Sequence, residues 1–306
     1  MALLETILPI FVVIGIGLLA GQRGYLPAGF LGSANRLVYH LAIPAMIFRA
    51  IAGGSLRHQF HLPVLAVALG AVAAGFAVAS AVAGRVAPAP AARASFRQCA
   101  FHGNLGYIGL AVVYFYLGDE GLGRASILAG FIMILQNLLA VVALSAGRRD
   151  GLAQRWRQVL GNPVIVASML GIACSALGLR LPTIADRSLE IVARMALPLA
   201  LLVIGATLSP AQIRAALVPA LVASVIKLGV MPALALGVCV LAAMPAAGYL
   251  PALILLASPT ATVAYVMGSE MGGDPDLAAA AISLSTLLSG LTFIGWLALS
   301  PPVAGG

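Results

Sequence analysis

Leu37-Val38-Tyr39-His40-Leu41-Ala42-Ile43-Pro44 and Ile191-Val192-Ala193-Arg194-Met195-Ala196-Leu197-Pro198 read almost alike. Their prolines stand 154 residues apart, close to half of a 306-residue chain. Both stretches sit inside long apolar runs. A faint echo at half-length is the mark of an internal structural repeat. In an apolar chain such a repeat points to two related halves arranged around one membrane-embedded site.

Composition supports the membrane setting. Hydrophobic residues make up 62% of the chain and charged residues 8%, against roughly 45–50% and about 25% in soluble domains. No water-soluble fold of this size hides so much apolar surface. A helix needs about 20 apolar residues to cross the hydrocarbon core. Runs of that kind fall near 3–21, 31–53, 62–84, 94–117, 124–146, 159–179, 188–208, 213–243, 249–269 and 277–299. The run 94–117 is the weakest, interrupted by polar residues and glycine. The alternating segments of a transmembrane barrel are absent. The expected fold is an all-α polytopic membrane protein with ten transmembrane helices.

The net charge of +8 reads as topology and not as a nucleic-acid footprint. Cations concentrate after spans 1, 3, 5 and 7, from Arg23 and Arg36 through Arg85, Arg93, Arg97, Arg148, Arg149, Arg155 and Arg157 to Arg214. The other face holds Arg57, Arg124, Arg180 and Arg187. The positive-inside rule then expects both termini outside the plasma membrane and the Arg148–Arg157 loop in the cytoplasm. Glu5 stands where a signal peptide carries basic residues, so the first span reads as a retained helix. Cys99, Cys174 and Cys239 are far apart in apolar runs, which argues for core packing.

Five spans per half make the second half enter the membrane from the opposite side. The expected domains are therefore inverted repeats, 1–150 and 151–306, related by an axis in the membrane plane. The same offset places Asn104 against Pro259. Span 4 carries His102-Gly103-Asn104-Leu105-Gly106-Tyr107-Ile108-Gly109, and span 9 carries Ala257-Ser258-Pro259-Thr260-Ala261-Thr262. Pro259 cannot donate a backbone hydrogen bond and drives Ser258 out of helical angles. Glycine tolerates unwinding. Unwound backbone at mid-membrane is allowed only where it is buried in protein or lines a wet cavity. Two matched breaks are a sequence pointer to a binding site. The plainer alternative is a proline kink in one helix and glycine packing notches in the other.

The chain resembles bacterial members of the auxin efflux carrier family, within the superfamily that includes bile-acid/sodium symporters. The resemblance rests on Leu8-Pro9-Ile10-Phe11-Val12-Val13-Ile14-Gly15-Ile16-Gly17 with Arg23-Gly24, Leu41-Ala42-Ile43-Pro44, and Gly103-Asn104-Leu105-Gly106-Tyr107-Ile108-Gly109-Leu110 with Gly118. Gly161-Asn162-Pro163, Lys227 before Pro232, and Ser258-Pro259-Thr260-Ala261 complete it. It spans the whole chain. It implies a scaffold of spans 1, 2, 6 and 7 and a moving bundle of spans 3–5 and 8–10, working as an elevator. Broken spans 4 and 9 would cross at the substrate site, in a homodimer. Implied substrates are organic anions, auxin-like acids or dicarboxylates such as malate and malonate. One departure stands out. Relatives carry proline after the Gly-Leu of span 4, where this chain has Ala111.

An anionic carboxylate suits the positive N-terminal ends of half-helices. Candidate contacts are Asn104, Gly106, Ser258, Pro259, Thr260 and Thr262, with Asn104 and Thr260 foremost. Lys227, in span 8, has no evident mid-membrane carboxylate partner, and an interior with spare positive charge favours an anion. Lys227 and Arg194 could equally snorkel or satisfy broken-helix carbonyls. His40, which matches Arg194, could couple protons or simply pack, and His102 reads likewise. Gln136 and Asn137 read as interhelical hydrogen-bonding groups. Pro44 and Pro198 are candidate hinge positions shaping the scaffold surface.

Other motifs carry no chemistry. Gly15-Ile16-Gly17-Leu18-Leu19-Ala20 spells a dinucleotide fingerprint but lacks a preceding strand, so helix packing through Gly17 and Gly21 is expected. His58 and His61 have no second ligand pair, so no metal is expected. Leu287-Leu288-Ser289-Gly290 lacks the leading glycine of an intramembrane serine protease. The chain thus reads as a secondary transporter of small organic anions, not an enzyme, with no cofactor and Na⁺ or H⁺ coupling open. The alternative within transport is a Na⁺- or H⁺-coupled symporter of larger, sterol-like anions.

Overall fold

The computed structural model describes residues 2–53, 61–144, 161 and 163–300. Arg57, His58, Asn162 and the basic Arg148–Arg157 stretch fall outside the described residues. The fold is all-α. Five helical segments are long and apolar enough to cross a membrane: Leu62–Val86, Leu105–Leu144, Thr183–Thr207, Leu217–Leu241 and Pro275–Leu299. Shorter apolar helices include Ile7–Gln22, Pro163–Ala176 and Ala246–Ala257. Gly118, at φ 67°, interrupts the helical geometry inside Leu110–Leu144. The chain is a multi-pass helical membrane protein.

Prolines shape the helices. Proline has no N–H, so the carbonyl four residues before it loses its helical donor. Leu228 precedes Pro232 by four residues, and its carbonyl accepts the Trp296 indole N–H at 2.7 Å. The Ala247 carbonyl, four before Pro251, accepts from Arg124 at 3.0 Å. The Leu255 carbonyl, four before Pro259, accepts the Ser258 hydroxyl at 2.6 Å. Wide π-turns at Val38–Ala42 and Ile226–Val230 run into Pro44 and Pro232. Ahead of Pro198 the helix divides at Arg194–Met195 into Thr183–Ala193 and Ala196–Thr207.

The N-terminal helix Ala2–Gln22 lies along Ala196–Thr207. Their backbones nearly touch. A Cβ on Gly17 would meet the Leu202 carbonyl at 2.3 Å, and one on Gly205 would meet the Ile14 carbonyl at 1.9 Å. Gly21 faces Ala206 in the same way. Gly17 and Gly21 are therefore packing notches, as expected from sequence, whereas Gly15 of the false fingerprint faces open space. Gly205→Leu should strip this seam. Overpacking costs about 1–3 kcal/mol, and backbone on the other side cannot yield. A thermal-unfolding midpoint in detergent lower by several degrees, or loss of monodisperse protein, is the expected readout.

Helix Ile43–Ala52 packs on Pro163–Ala176 and on Thr183–Ala193. Arg49 forks onto Asp186, Nε to Oδ1 at 2.7 Å and Nη2 to Oδ2 at 3.1 Å, and reaches Glu190 at 3.4 Å. Arg194 also pairs with Glu190 and is largely exposed. A second packed group joins Leu62–Val86, Pro90–Phe101, Leu217–Leu241 and Pro275–Leu299. Leu4, Leu8, Val12, Ile16 and Leu19 form an exposed stripe along the first helix. Spacing by three and four residues puts them on one face, which lipid covers in a bilayer.

Candidate binding site at a helix crossing

Two helices stop in mid-protein and restart. Pro90–Phe101 ends at His102, which is extended at φ −81° and ψ 100°, and turning resumes at Leu105. Ala246–Ala257 ends at Ser258, extended at φ −63° and ψ 147°, and helix resumes at Val263. The two interruptions meet. The Asn104 N–H donates to the Pro259 carbonyl at 2.7 Å, and the Ala261 N–H donates to the His102 carbonyl at 2.8 Å. Gly103 and Thr260 form an isolated antiparallel bridge. Only glycine fits at 103. A Cβ there would lie 2.8 Å from Ser258 Oγ and 2.9 Å from Lys227 Cε.

The four helix ends at this crossing differ in their partners. C-terminal carbonyls are served by side chains. Thr260 Oγ1 donates to Cys99 O at 2.9 Å, and Gln136 Nε2 donates to Phe101 O at 3.1 Å. Lys227 Nζ donates to Leu256 O at 2.6 Å. Lys227 is fully buried and makes no ion pair among the described residues. Its Nζ thus sits at the negative end of a half-helix, which favours a positive charge there.

The N-terminal ends are left open. Asn104 Oδ1 accepts the Tyr107 N–H at 3.2 Å. That bond fixes which way the amide points. Asn104 Nδ2 is buried and has no hydrogen-bond partner. The backbone N–H groups of Gly106, Thr262 and Val263 likewise have none among the described residues. The residues that carry these four groups all line one cavity of about 270 Å³, whose wall also includes Asn35, Tyr39, Ile43, His102, Met133 and Asn137. Donors without acceptors around a cavity fit an anionic or carbonyl-bearing solute.

Of the residues singled out from sequence, Asn104, Gly106 and Thr262 stand in this wall. Ser258, Pro259, Thr260 and Lys227 stand behind it, at the bridge itself. The hydroxyls of Ser258 and Thr260 are committed to carbonyls. His40 is exposed, with Nδ1 3.2 Å from the Arg36 carbonyl, and its neighbour Tyr39 lines the cavity instead. Pro44 follows the cavity residue Ile43. Pro198 stands in the first turn of Ala196–Thr207, the helix against which Ala2–Gln22 packs. Sequence reading did not single out Asn35, Tyr39 or Tyr107. His102, read as either a proton-coupling or a packing residue, lines the cavity, and its buried Nδ1 has no hydrogen-bond partner among the described residues.

The chain is 26% identical over 310 residues to a Rhizobium meliloti protein named "Putative malonate transporter", covering 96% of this chain and 94% of the relative. It is 26% identical over 298 residues to a protein of Methanothermobacter thermautotrophicus named "Uncharacterized transporter", covering 95% and 96%. The model of the family described as membrane transport protein matches residues 2–150 and again 149–297. Matched over nearly its whole length, the chain belongs to that membrane transport protein family, and its role is transport and not catalysis.

Proposed function

We propose that the protein is a secondary transporter of small organic anions, with the solute carboxylate held in the cavity beside the crossing. The carrying observation is the Asn104 amide. Its oxygen is fixed on the Tyr107 N–H, and its buried NH₂ has no acceptor. A carboxylate supplies what is missing there. The free N–H groups of Gly106, Thr262 and Val263 extend the same cradle, and the Lys227 ammonium biases it toward negative charge. A cavity near 270 Å³ suits a short carboxylate better than a sterol-sized anion. The name of the Rhizobium relative supports dicarboxylates such as malonate as the first class to assay.

In this reading the chain makes ten passes as two inverted repeats, 1–150 and 151–306. Spans 4 and 9 are the two interrupted helices. The bundle bearing them shifts against a scaffold of spans 1, 2, 6 and 7, exposing the cavity to each face in turn. Both termini lie outside the plasma membrane, and the unit is a homodimer. A membrane potential negative inside is worth about 2.3 kcal/mol per charge per 100 mV. Anion export is then downhill without a coupling ion, whereas uptake needs Na⁺ or H⁺.

Flux in proteoliposomes tests the proposal. Mono- and dicarboxylates are offered at clamped voltage, with Na⁺ and pH gradients varied separately. Saturable flux of at least one short carboxylate, faster when the trans side is positive, is expected. Ohmic current without saturation would identify a channel instead.

A further inference from the structure

A second cavity of about 470 Å³ adjoins the first. Asn35, Tyr107 and Thr262 line both. Its remaining wall includes Leu31, Thr207, Gln212 and Ser283. Leu31 lies in the first turn of helix Ala28–Leu37, and Gln212 lies just past the end of Ala196–Thr207. The larger cavity therefore reaches the membrane face where those two connections run. Between the cavities, the Tyr107 hydroxyl donates to Asn35 Oδ1 at 2.6 Å. Tyr107 belongs to the turn at the crossing, whereas Asn35 belongs to the helix that leads into Pro44.

We infer that the Tyr107–Asn35 hydrogen bond is a gate between the solute cavity and a vestibule formed by the second cavity. The inference rests on the proposal that the solute occupies the cavity beside Asn104. Three features carry it. The bonded pair stands in the common wall, so a solute moving between cavities must pass it. The pair joins two separate helical elements through the Tyr107 hydroxyl alone, which donates to Asn35 Oδ1 at 2.6 Å and lies 3.5 Å from the Asn35 carbonyl, so a rotation of one side chain breaks it. Finally, the Tyr107 N–H is the donor held by Asn104 Oδ1. A solute that pulls on the Asn104 amide therefore pulls on the turn that carries the gate. No charged side chain lines either cavity among the described residues, so the gate is neutral and the anion meets hydroxyl and amide groups on its way.

Thiol labelling tests the gate without needing the solute. In a chain with Cys99, Cys174 and Cys239 replaced by alanine, Met133→Cys reports on the solute cavity and Ala279→Cys on the vestibule. A membrane-impermeant methanethiosulfonate is applied from the vestibule face of oriented vesicles. Tyr107→Phe and Asn35→Ala should each raise the labelling rate at Met133→Cys by roughly two- to tenfold, the range set by one neutral hydrogen bond. Asn35→Asp keeps the acceptor and should stay near the parent rate. Labelling at Ala279→Cys should not change. An unchanged rate at Met133→Cys in both gate variants would overturn the inference, and so would an equal rise at Ala279→Cys. Absent carboxylate flux with the labelling pattern intact would remove the solute assignment and leave the gate. Normal flux with unchanged labelling would remove the gate alone.

Discussion

Asn104→Asp should abolish most carboxylate flux while the protein stays folded. The substitution keeps an oxygen that accepts the Tyr107 N–H, so the turn at Leu105 remains capped. It replaces the one buried, unpartnered NH₂ with a second oxygen. A bound carboxylate then meets a lone pair or a negative charge where it met a donor. Hydrogen bonds to charged groups contribute about 1.5–3 kcal/mol, which is roughly a 10- to 150-fold loss of affinity before any repulsion. Asn104→Ala removes donor and cap together, so its effect on transport mixes with one on stability. The informative measurement is therefore flux and thermal midpoint side by side. Flux in Asn104→Asp equal to that of the parent protein would take Asn104 out of the solute site.

Lys227→Met should separate binding from stability in a different way. The ammonium is buried, hydrogen-bonded to Leu256 O, and lies 3.1 Å from where a Cβ on Gly103 would be. Gly103 borders the cavity, and for a carboxylate bound beside it a separation of about 7 Å from the charge is taken. At an effective dielectric of about 20, that separation gives roughly 2 kcal/mol per unit charge. The half-saturation concentration should rise about 30-fold for a monoanion and further for a dianion. Stability should change little. Methionine fills a similar volume, and removing an unpaired buried charge relieves its desolvation cost. Against that stands an unpaired Leu256 carbonyl, which costs about 1–3 kcal/mol. A large drop in thermal midpoint with an unchanged mono- to dianion preference would make Lys227 a purely structural cap.

The all-α membrane class and several of its long helices were legible, because membrane helices must be long and apolar whatever surrounds them, whereas the runs read at 94–117 and 124–146 give way to one segment, Leu105–Leu144. The helical segments at 62–86, 217–241 and 275–299 match the runs read from hydrophobicity. The two interruptions were legible for a local reason, since Pro259 and the Gly103-Asn104 pair disfavour helix wherever they stand. Ala111 shows how the first break forms without a proline in span 4. Asn104 caps the new turn through its own side chain, a role asparagine fills from sequence alone.

Only part of the cavity wall was legible: Asn104, Gly106 and Thr262 were, whereas Asn35 and Tyr39 and the partners of Tyr107 and Lys227 were not. Tyr107 bonds to a residue 72 positions earlier, and Lys227 to a carbonyl 29 positions later. Such partners are set by how helices cross, which periodicity does not encode. Thr260 illustrates the limit in reverse. A hydroxyl beside a broken helix looks free for a ligand, but packing delivers the Cys99 carbonyl to it. His40 matches Arg194 in the echo, yet the wide turn at Val38–Ala42 leaves Tyr39 facing the cavity.

The pair of backbone bonds between residues 102–104 and 259–261 constrains how the machine works. Two interrupted rods stapled to each other by their own main chains cannot slide independently, since either would have to strand an amide and a carbonyl away from water. In the proposed alternating-access cycle they would move as a single block. Amide protons on Asn104 and Ala261 should accordingly be among the last in the molecule to exchange with deuterium, whichever way the carrier faces.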